Sequence, residues 1–314
     1  GVMEILKKYA PDVPIHVSTQ ANVVSLHAAN FWYKNGAKRV IMAREANKEQ
    51  IRYIMENKPK DLEVEMFGHG AICFAYSGRC FLSDFLCGRS ANLGDCAQSC
   101  RWSYNLYAEE KNNPGQLMPL ESDENGTSIF SSKDLCLIKE IPEIIDMGVD
   151  SLKIEGRLKT EYYVASVVNA YRTAIDDYMK DPENYDYTKY LNELEKVKTR
   201  PFTTFYFNDR KNEDIQDFSG KQYNDKYEFG GKIVEAKEEK SVIEIKNKLT
   251  VGDTLEILKP GQFEPIEFKI EQLWDYETGE KIDFVSPGVK GQKVLMNIPV
   301  KCENNWIMRR KKGN

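Results

Sequence analysis

Histidine is scarce in this chain: its 314 residues include three, His16, His27 and His69. No H-E-x-x-H occurs, which removes the usual zinc-peptidase helix. No G-x-S-x-G occurs, which removes the serine nucleophile elbow. There is no run of about 18 apolar residues to span a membrane as a helix. The first residues show no charged n-region followed by an apolar h-region, so no secretory signal is read there. Positive charge is not in excess either. The formal net charge is -5, which argues against a basic nucleic-acid binder overall and leaves a local basic patch open.

What is present is a globular composition, 41% hydrophobic and 30% charged, over a length that fits about two domains. Seven cysteines stand out. Five lie in one stretch, Glu65–Cys100, among glycines and small residues; Cys136 follows, and Cys302 is far away. An odd, clustered set in a lysine- and glutamate-rich chain fits a reduced cytoplasm and a metal site better than a disulfide framework.

Apolar spacing predicts a helix over 2–9, ended by Pro11. A strand at 15–18 then runs into Thr19, Gln20 and Asn22. A helix ending at Gly36 follows, then a strand ending at Arg44 and Glu45. A helix capped by Asn47 leads to a third strand that enters the cysteine stretch. The turn-rich interlude from 107 reads as a hairpin, and DLCLIKEIPEII as a helix. A strand SLKIEGR and a long helix from 161 complete the series. Strands alternate with helices and carry polar residues at their C-terminal ends. That is the layout of an α/β barrel or doubly wound sheet. Four such units are half of a TIM-like (β/α)8 barrel, and GVMEILKKYAPD reads as a start in mid-domain. From about Phe202 the period changes to two, as in a small all-β barrel. The expected domains are 1–200 and 201–314.

Four soft thiolates suit zinc or an iron–sulfur cluster. Cys73 and Cys80 are too far apart for a zinc-ribbon pair, and only Cys96 and Cys100 are close. Scattered core cysteines and redox thiols remain open readings, with Cys87 and Cys302 as the residues best explained by packing. Cys136, at the expected start of a helix, gains from the helix N-terminus as an anionic ligand. Glu45 and Glu155 end strands on the prospective catalytic face, as do His16, Gln20 and Asn22. Arg79, Arg157, Arg44, Arg101 and Lys159 are cations at strand ends or nearby, each either a partner for an anionic ligand or a solvated or salt-bridged residue. Glu65 reads as a brace, and His27 as structural. Of Tyr162 and Tyr163, one is expected in the core and the other at the site. A Cys/His dyad of His69 with Cys73 or Cys80 is the protease alternative. The tail Trp306–Lys312 pairs an aromatic residue with four cations. That suits RNA backbone contact or simple solvation.

The run Glu65–Cys73 followed by Gly78–Ser83 resembles the signature of the collagenase-like peptidase family, the U thirty-two group. HVSTQAN, ARE, GDCAQSCRW, SSKDLCLI and GVDSLKIEGRLKTEYYVA extend the resemblance in family order over about residues 1–210. The family's name implies a peptidase. Its bacterial members imply instead iron–sulfur proteins that support oxygen-independent hydroxylation of RNA, including the wobble uridine of tRNA, with prephenate as co-substrate. The resemblance implies a [4Fe-4S] cluster on Cys73, Cys80, Cys96 and Cys136, with Cys100 as the alternative. From their strand-end positions and chemistry, Glu155, Arg157, Glu45 and His69 are the candidate catalytic residues, with bracing of local arginines the alternative for Glu155 and Glu45. His16, Gln20, Asn22, Arg79, Arg101 and Tyr162 are the candidate substrate contacts. A zinc-stabilised binding protein is the third reading.

Overall fold

The structure is a computed structural model that describes residues 1–73, 75–102, 104–109, 111, 114–115, 117–120, 132–208, 226–288 and 292–312. The chain divides into two compact units: Gly1–Glu155 with Arg200–Gln222, and Gly156–Thr199 with Tyr223–Asn314.

The first unit alternates helix and strand. It runs through α1 (Val2–Tyr9), β1 (Ile15–Val17), α2 (Leu26–Lys34), β2 (Ala37–Ile41), α3 (Lys48–Asn57) and β3 (Glu63–Ala71). Local chemistry sets these boundaries. Ser25 caps α2 by accepting from the Ala28 N–H, and Asn47 and Gln50 form a reciprocal capping box at α3. After β3 come α4 (Leu82–Cys87), the hairpin β4 (Leu106–Glu109) and β5 (Leu117–Leu120), β6 (Asp134–Cys136), α5 (Ile141–Asp146) and β7 (Ser151–Ile154). The turn-rich stretch 121–131 lies outside the described residues.

Strands β1, β2, β3 and β7 pair in parallel. Eight of the nine residues of β3 are buried, as expected for a parallel strand covered on both faces. The core beneath is aliphatic, with Val40, Ile51, Ile54, Leu62 and Val64 nearly or fully buried. One expectation is overturned here. Asp134–Cys136 is a strand, not the start of a helix, and it runs antiparallel to β3. All three of its residues are buried, so pairing and packing override the helical spacing of the segment. The helix-dipole argument for Cys136 falls with it.

The second unit holds α6 (Glu161–Lys180) and α7 (Thr188–Leu194). Strand β8 (Phe202–Thr203) returns to the first unit and pairs with β6. The strands that follow are β9 (Tyr227–Glu235), β10 (Ser241–Ile245), β11 (Leu249–Thr250), β12 (Thr254–Leu258), β13 (Ile266–Lys269), β14 (Leu273–Asp275), β15 (Lys281–Ile282), β16 (Phe284–Val285), β17 (Lys293–Met296) and β18 (Ile307–Lys311). Eight of them form one antiparallel sheet in the order β13-β12-β18-β9-β10-β17-β14-β15. Its core includes Ile233, Ile243, Leu255, Ile257 and Met308.

The C-terminal cations are therefore not a solvated tail. Trp306 is buried, and β18 is an interior strand of the sheet. Arg309 is fully buried and paired with Glu193 and Glu256; Arg310 is paired with Glu228 and Asp253. Among the described residues, no helix is long and apolar enough to cross a membrane.

Candidate functional site

The site grows from the C-terminal end of β3. Gly70 there has φ +117°, and a Cβ would stand 2.5 Å from the Glu155 carbonyl oxygen. Only glycine permits that approach. The Glu155 N–H donates to the His69 carbonyl at 2.9 Å, so the end of the last parallel strand is fixed beside the signature. His69 itself is fully buried, edge-on to Phe202 with ring centroids 5.4 Å apart.

The cysteine loop is held by the ends of the preceding strands. Gly78 has φ +75°, and a Cβ on it would collide with the Gln20 carbonyl oxygen at 2.1 Å. Ser77 donates its N–H and hydroxyl to the two Glu45 carboxylate oxygens at 2.8 and 3.1 Å. Gln20 Nε2 donates to the Ala91 carbonyl at 3.2 Å, and the Cys80 N–H to Asn92 Oδ1 at 3.0 Å. Gln20 and Glu45 thus fasten the loop in place.

Within the loop Cys73, Cys80, Cys96 and Cys100 are each partly buried and share one electrostatic neighbourhood. Burial pushes the Cys73 thiol up to about 11; a backbone hydrogen bond from Ala75 and the charge of Arg44 oppose the rise, while Cys80 and Cys100 add to it. Burial also raises Cys100, against Arg101 and with Cys96 and Cys80. Cys136 is buried in β6, directly opposite His69 across the ladder. Cys87 is exposed and donates to the Ser83 carbonyl at 2.9 Å. Cys302 lies in the second unit, its sulfur 3.6 Å from the Ser241 hydroxyl.

Two arginines border the thiols. The Arg44 guanidinium lies 3.6 Å from the Phe67 ring centroid, and its carboxylate neighbour, Glu155, is 3.9 Å away. Burial lowers its pKa, opposed by Glu155, Cys73 and Glu45. Arg101 donates to Asp134 Oδ1 at 2.8 Å and to the Ile72 carbonyl at 3.3 Å. The Arg200 N–H donates to Asp134 Oδ2 at 3.2 Å, and its guanidinium to the Ser132 carbonyl at 3.2 Å. Asp134, fully buried, thereby ties the turn at Cys100 to the strand of Cys136. Neither Asp134 nor Arg200 was singled out by sequence reasoning. The signal available was a carboxylate set directly before the apolar run Leu135–Ile138.

The remaining candidates are dispersed. His16 is exposed on β1, in register with Arg39. Asn22 closes a turn in the left-handed region at φ 52°, and its buried Oδ1 accepts no hydrogen bond among the described residues. Arg79 is exposed and donates to the Gly78 carbonyl. Arg157 and Tyr162 belong to the second unit. Arg157 is exposed before α6, whereas Tyr162 is buried and donates to the Lys196 carbonyl at 3.0 Å. Burial strongly raises the pKa of that hydroxyl.

The donor set is chemically suited to a soft metal or a cluster: four thiols in one loop, with cations nearby to balance thiolate charge. Among the described residues, no three Cys, His, Asp or Glu side chains stand at metal-ligating distances.

The chain is similar along most of its length to known proteins. It is 39% identical over 285 residues to "tRNA hydroxylation protein P1" of Bacillus subtilis, covering 90% of this chain and 66% of that protein. It is 34% identical to "tRNA hydroxylation protein P" of Escherichia coli, covering 98% of this chain and 75% of the relative. The "23S rRNA 5-hydroxycytidine C2501 synthase" of E. coli is 32% identical over 82% of this chain and 38% of its own length. The chain thus spans about two thirds to three quarters of the two tRNA hydroxylation proteins. The description Peptidase family U32 matches residues 1–217, and Peptidase family U32 C-terminal domain matches residues 225–309. The chain belongs to peptidase family U32.

Proposed function

We propose that this protein is an iron–sulfur-dependent, oxygen-independent RNA hydroxylase. Its product is 5-hydroxyuridine at the tRNA wobble position, and prephenate is the co-substrate. The observation that carries this reading is the gathering of four thiols in one loop beside Arg44 and Arg101. The names of the relatives, hydroxylation proteins for tRNA and rRNA, support an RNA substrate.

In this reading Cys73, Cys80 and Cys96 hold a [4Fe-4S] cluster, with Cys136 as the fourth ligand and Cys100 as its competitor. A bound cluster supplies one-electron chemistry at the thiol loop. Glu155 and Glu45, beyond the ends of β7 and β2, are the carboxylates for proton transfer, with His69, opposite Cys136 across the ladder, as the further candidate in this unit; Arg157, a candidate by type, belongs to the other unit. Arg44 meets the anionic co-substrate, because its carboxylate neighbour is beyond hydrogen-bond distance. A Cys73 peptidase nucleophile fits poorly, since such a thiol needs a lowered pKa and this one is raised.

The four parallel strands with their helices are the half of a TIM-like (β/α)8 barrel in this proposal, and the curled sheet is a small β-barrel domain. The protein works in the reduced cytoplasm. Nucleoside analysis of tRNA from a strain lacking the gene tests the activity. Loss of wobble 5-hydroxyuridine and its derivatives is expected, and restoration by the intact gene. An unchanged nucleoside profile overturns the reading.

A further inference from the structure

Helices bury their apolar stripe, and α4 does the reverse. Its Ser83 is buried, with the hydroxyl accepting from the Ala97 N–H at 2.9 Å. Phe81 and Phe85, one turn apart on the same face, are 72% and 85% exposed. Helix α4 packs on the turns at 91–93 and 99–101, and the flanking Tyr76 and Trp102 are exposed as well. The loop therefore leaves four rings in water, two of them on one face of α4.

A cation is interleaved with the rings. Arg79 is exposed, donates only to its own neighbour's carbonyl, and meets no carboxylate among the described residues. Cys80 stands between Arg79 and Phe81 in the chain, so the ring face borders the thiol loop.

Rings left in water beside an unneutralised guanidinium suit a polyanion with flat faces. Unpaired bases stack on aromatic side chains whatever their sequence, and phosphates take the arginine. Chemistry on a base also requires that base to leave its stack, and a ring at the site offers a substitute.

We propose that Phe81 and Phe85 form the platform on which unpaired bases of an RNA loop stack, with Arg79 on an adjoining phosphate. This rests on the RNA-modifying reading above and adds the surface that receives the RNA.

The test uses the full chain, a fluorescein-labelled anticodon stem-loop, and a fully paired duplex of similar length. Replacing both rings, Phe81→Ala with Phe85→Ala, is expected to weaken stem-loop binding by at least about tenfold. The Phe→Tyr pair should restore it. Arg79→Gln should weaken binding less and lower the salt slope by about one. An unchanged circular dichroism spectrum shows that the variants fold. Folded alanine variants that bind the stem-loop as wild type does overturn the platform. So does duplex binding that matches stem-loop binding. If instead the ring substitutions alter only sedimentation, the face joins two copies of this chain and the platform is wrong. A wild-type chain that binds no RNA and forms no modified nucleoside overturns the functional reading itself. RNA modification that persists in the ring variants with undiminished binding overturns the platform alone.

Discussion

Each compact unit holds an arginine with little exposure beside a carboxylate, Arg309 in one and Arg44 in the other, and the two are paired differently. In the C-terminal unit Arg309 is clamped by the carboxylates of Glu193 and Glu256, and its neighbour Arg310 by Glu228 and Asp253. Both guanidiniums there meet carboxylates at close range. In the cysteine unit Arg44 rests on the Phe67 ring, with Glu155 held at 3.9 Å. The first arrangement is a closed brace. The second leaves a guanidinium with no carboxylate at hydrogen-bond distance among the described residues. The proposed function reads the first as a group kept for the fold and the second as one kept for an occupant.

Substitution at each arginine sharpens the contrast. Arg309→Leu leaves Glu193 buried with its main counter-charge removed. The expected loss is about 3–5 kcal/mol in denaturant unfolding, enough to threaten the unit. Asp134→Ala strips Arg101 and Arg200 of their shared acceptor and should lose about 2–4 kcal/mol by the same mechanism. Gly78→Ala forces a Cβ onto the Gln20 carbonyl at a positive φ and should lose about 1–3 kcal/mol. Its mark is faster proteolysis within 73–100. Arg44→Met should change stability by no more than about 1 kcal/mol, because only a long ion pair and a ring contact are lost. It should nonetheless abolish turnover. A loss at Arg44 as large as that at Arg309 breaks the contrast.

The smallest expected effect is one of pH. In the metal-free protein the Cys73 thiol is raised from 9.0 to about 11 by burial. Above pH 9 the unfolded chain gives up that proton first, so it binds fewer protons than the native state. Stability therefore falls as pH rises from 9 toward 11, and is fully present below 9. Thermal unfolding across that range should show the decline, and Cys73→Ser should make it shallower, with Cys100 and Tyr162, also raised by burial, carrying the remainder.

Much of the first unit could be read from the chain, because its signals are local. The Asn47 and Gln50 capping box, the apolar period of α3, and the polar ends after the strands at Gln20 and Glu45 all lie within a few residues of what they specify. The misreadings share one cause. Leu135–Ile144 carries helical spacing, yet Asp134–Cys136 becomes a strand through Leu135 and Cys136 pairing with β3 and Asp134 receiving Arg101 and Arg200. The basic run at Arg309 looked solvent-bound, yet its partners Glu256 and Glu193 are 53 and 116 residues away. No window of sequence contains them. At the candidate site the cysteines were legible by type and crowding. Ser77, Asn92 and Asp134, which hold the loop in place, were not, since each acts through a contact formed only on folding.

The central claim is that the thiol loop exists to hold a cluster. Its most direct test is iron and sulfide analysis with absorption spectroscopy after anaerobic reconstitution, on the wild type and single cysteine variants. The account predicts a brown wild type with visible absorption, loss of iron in Cys73→Ala, Cys80→Ala and Cys96→Ala, and retention in Cys87→Ala and Cys302→Ala. Comparison of Cys136→Ala with Cys100→Ala assigns the fourth ligand. A colourless, iron-free wild type, or one with stoichiometric zinc in its place, contradicts the account.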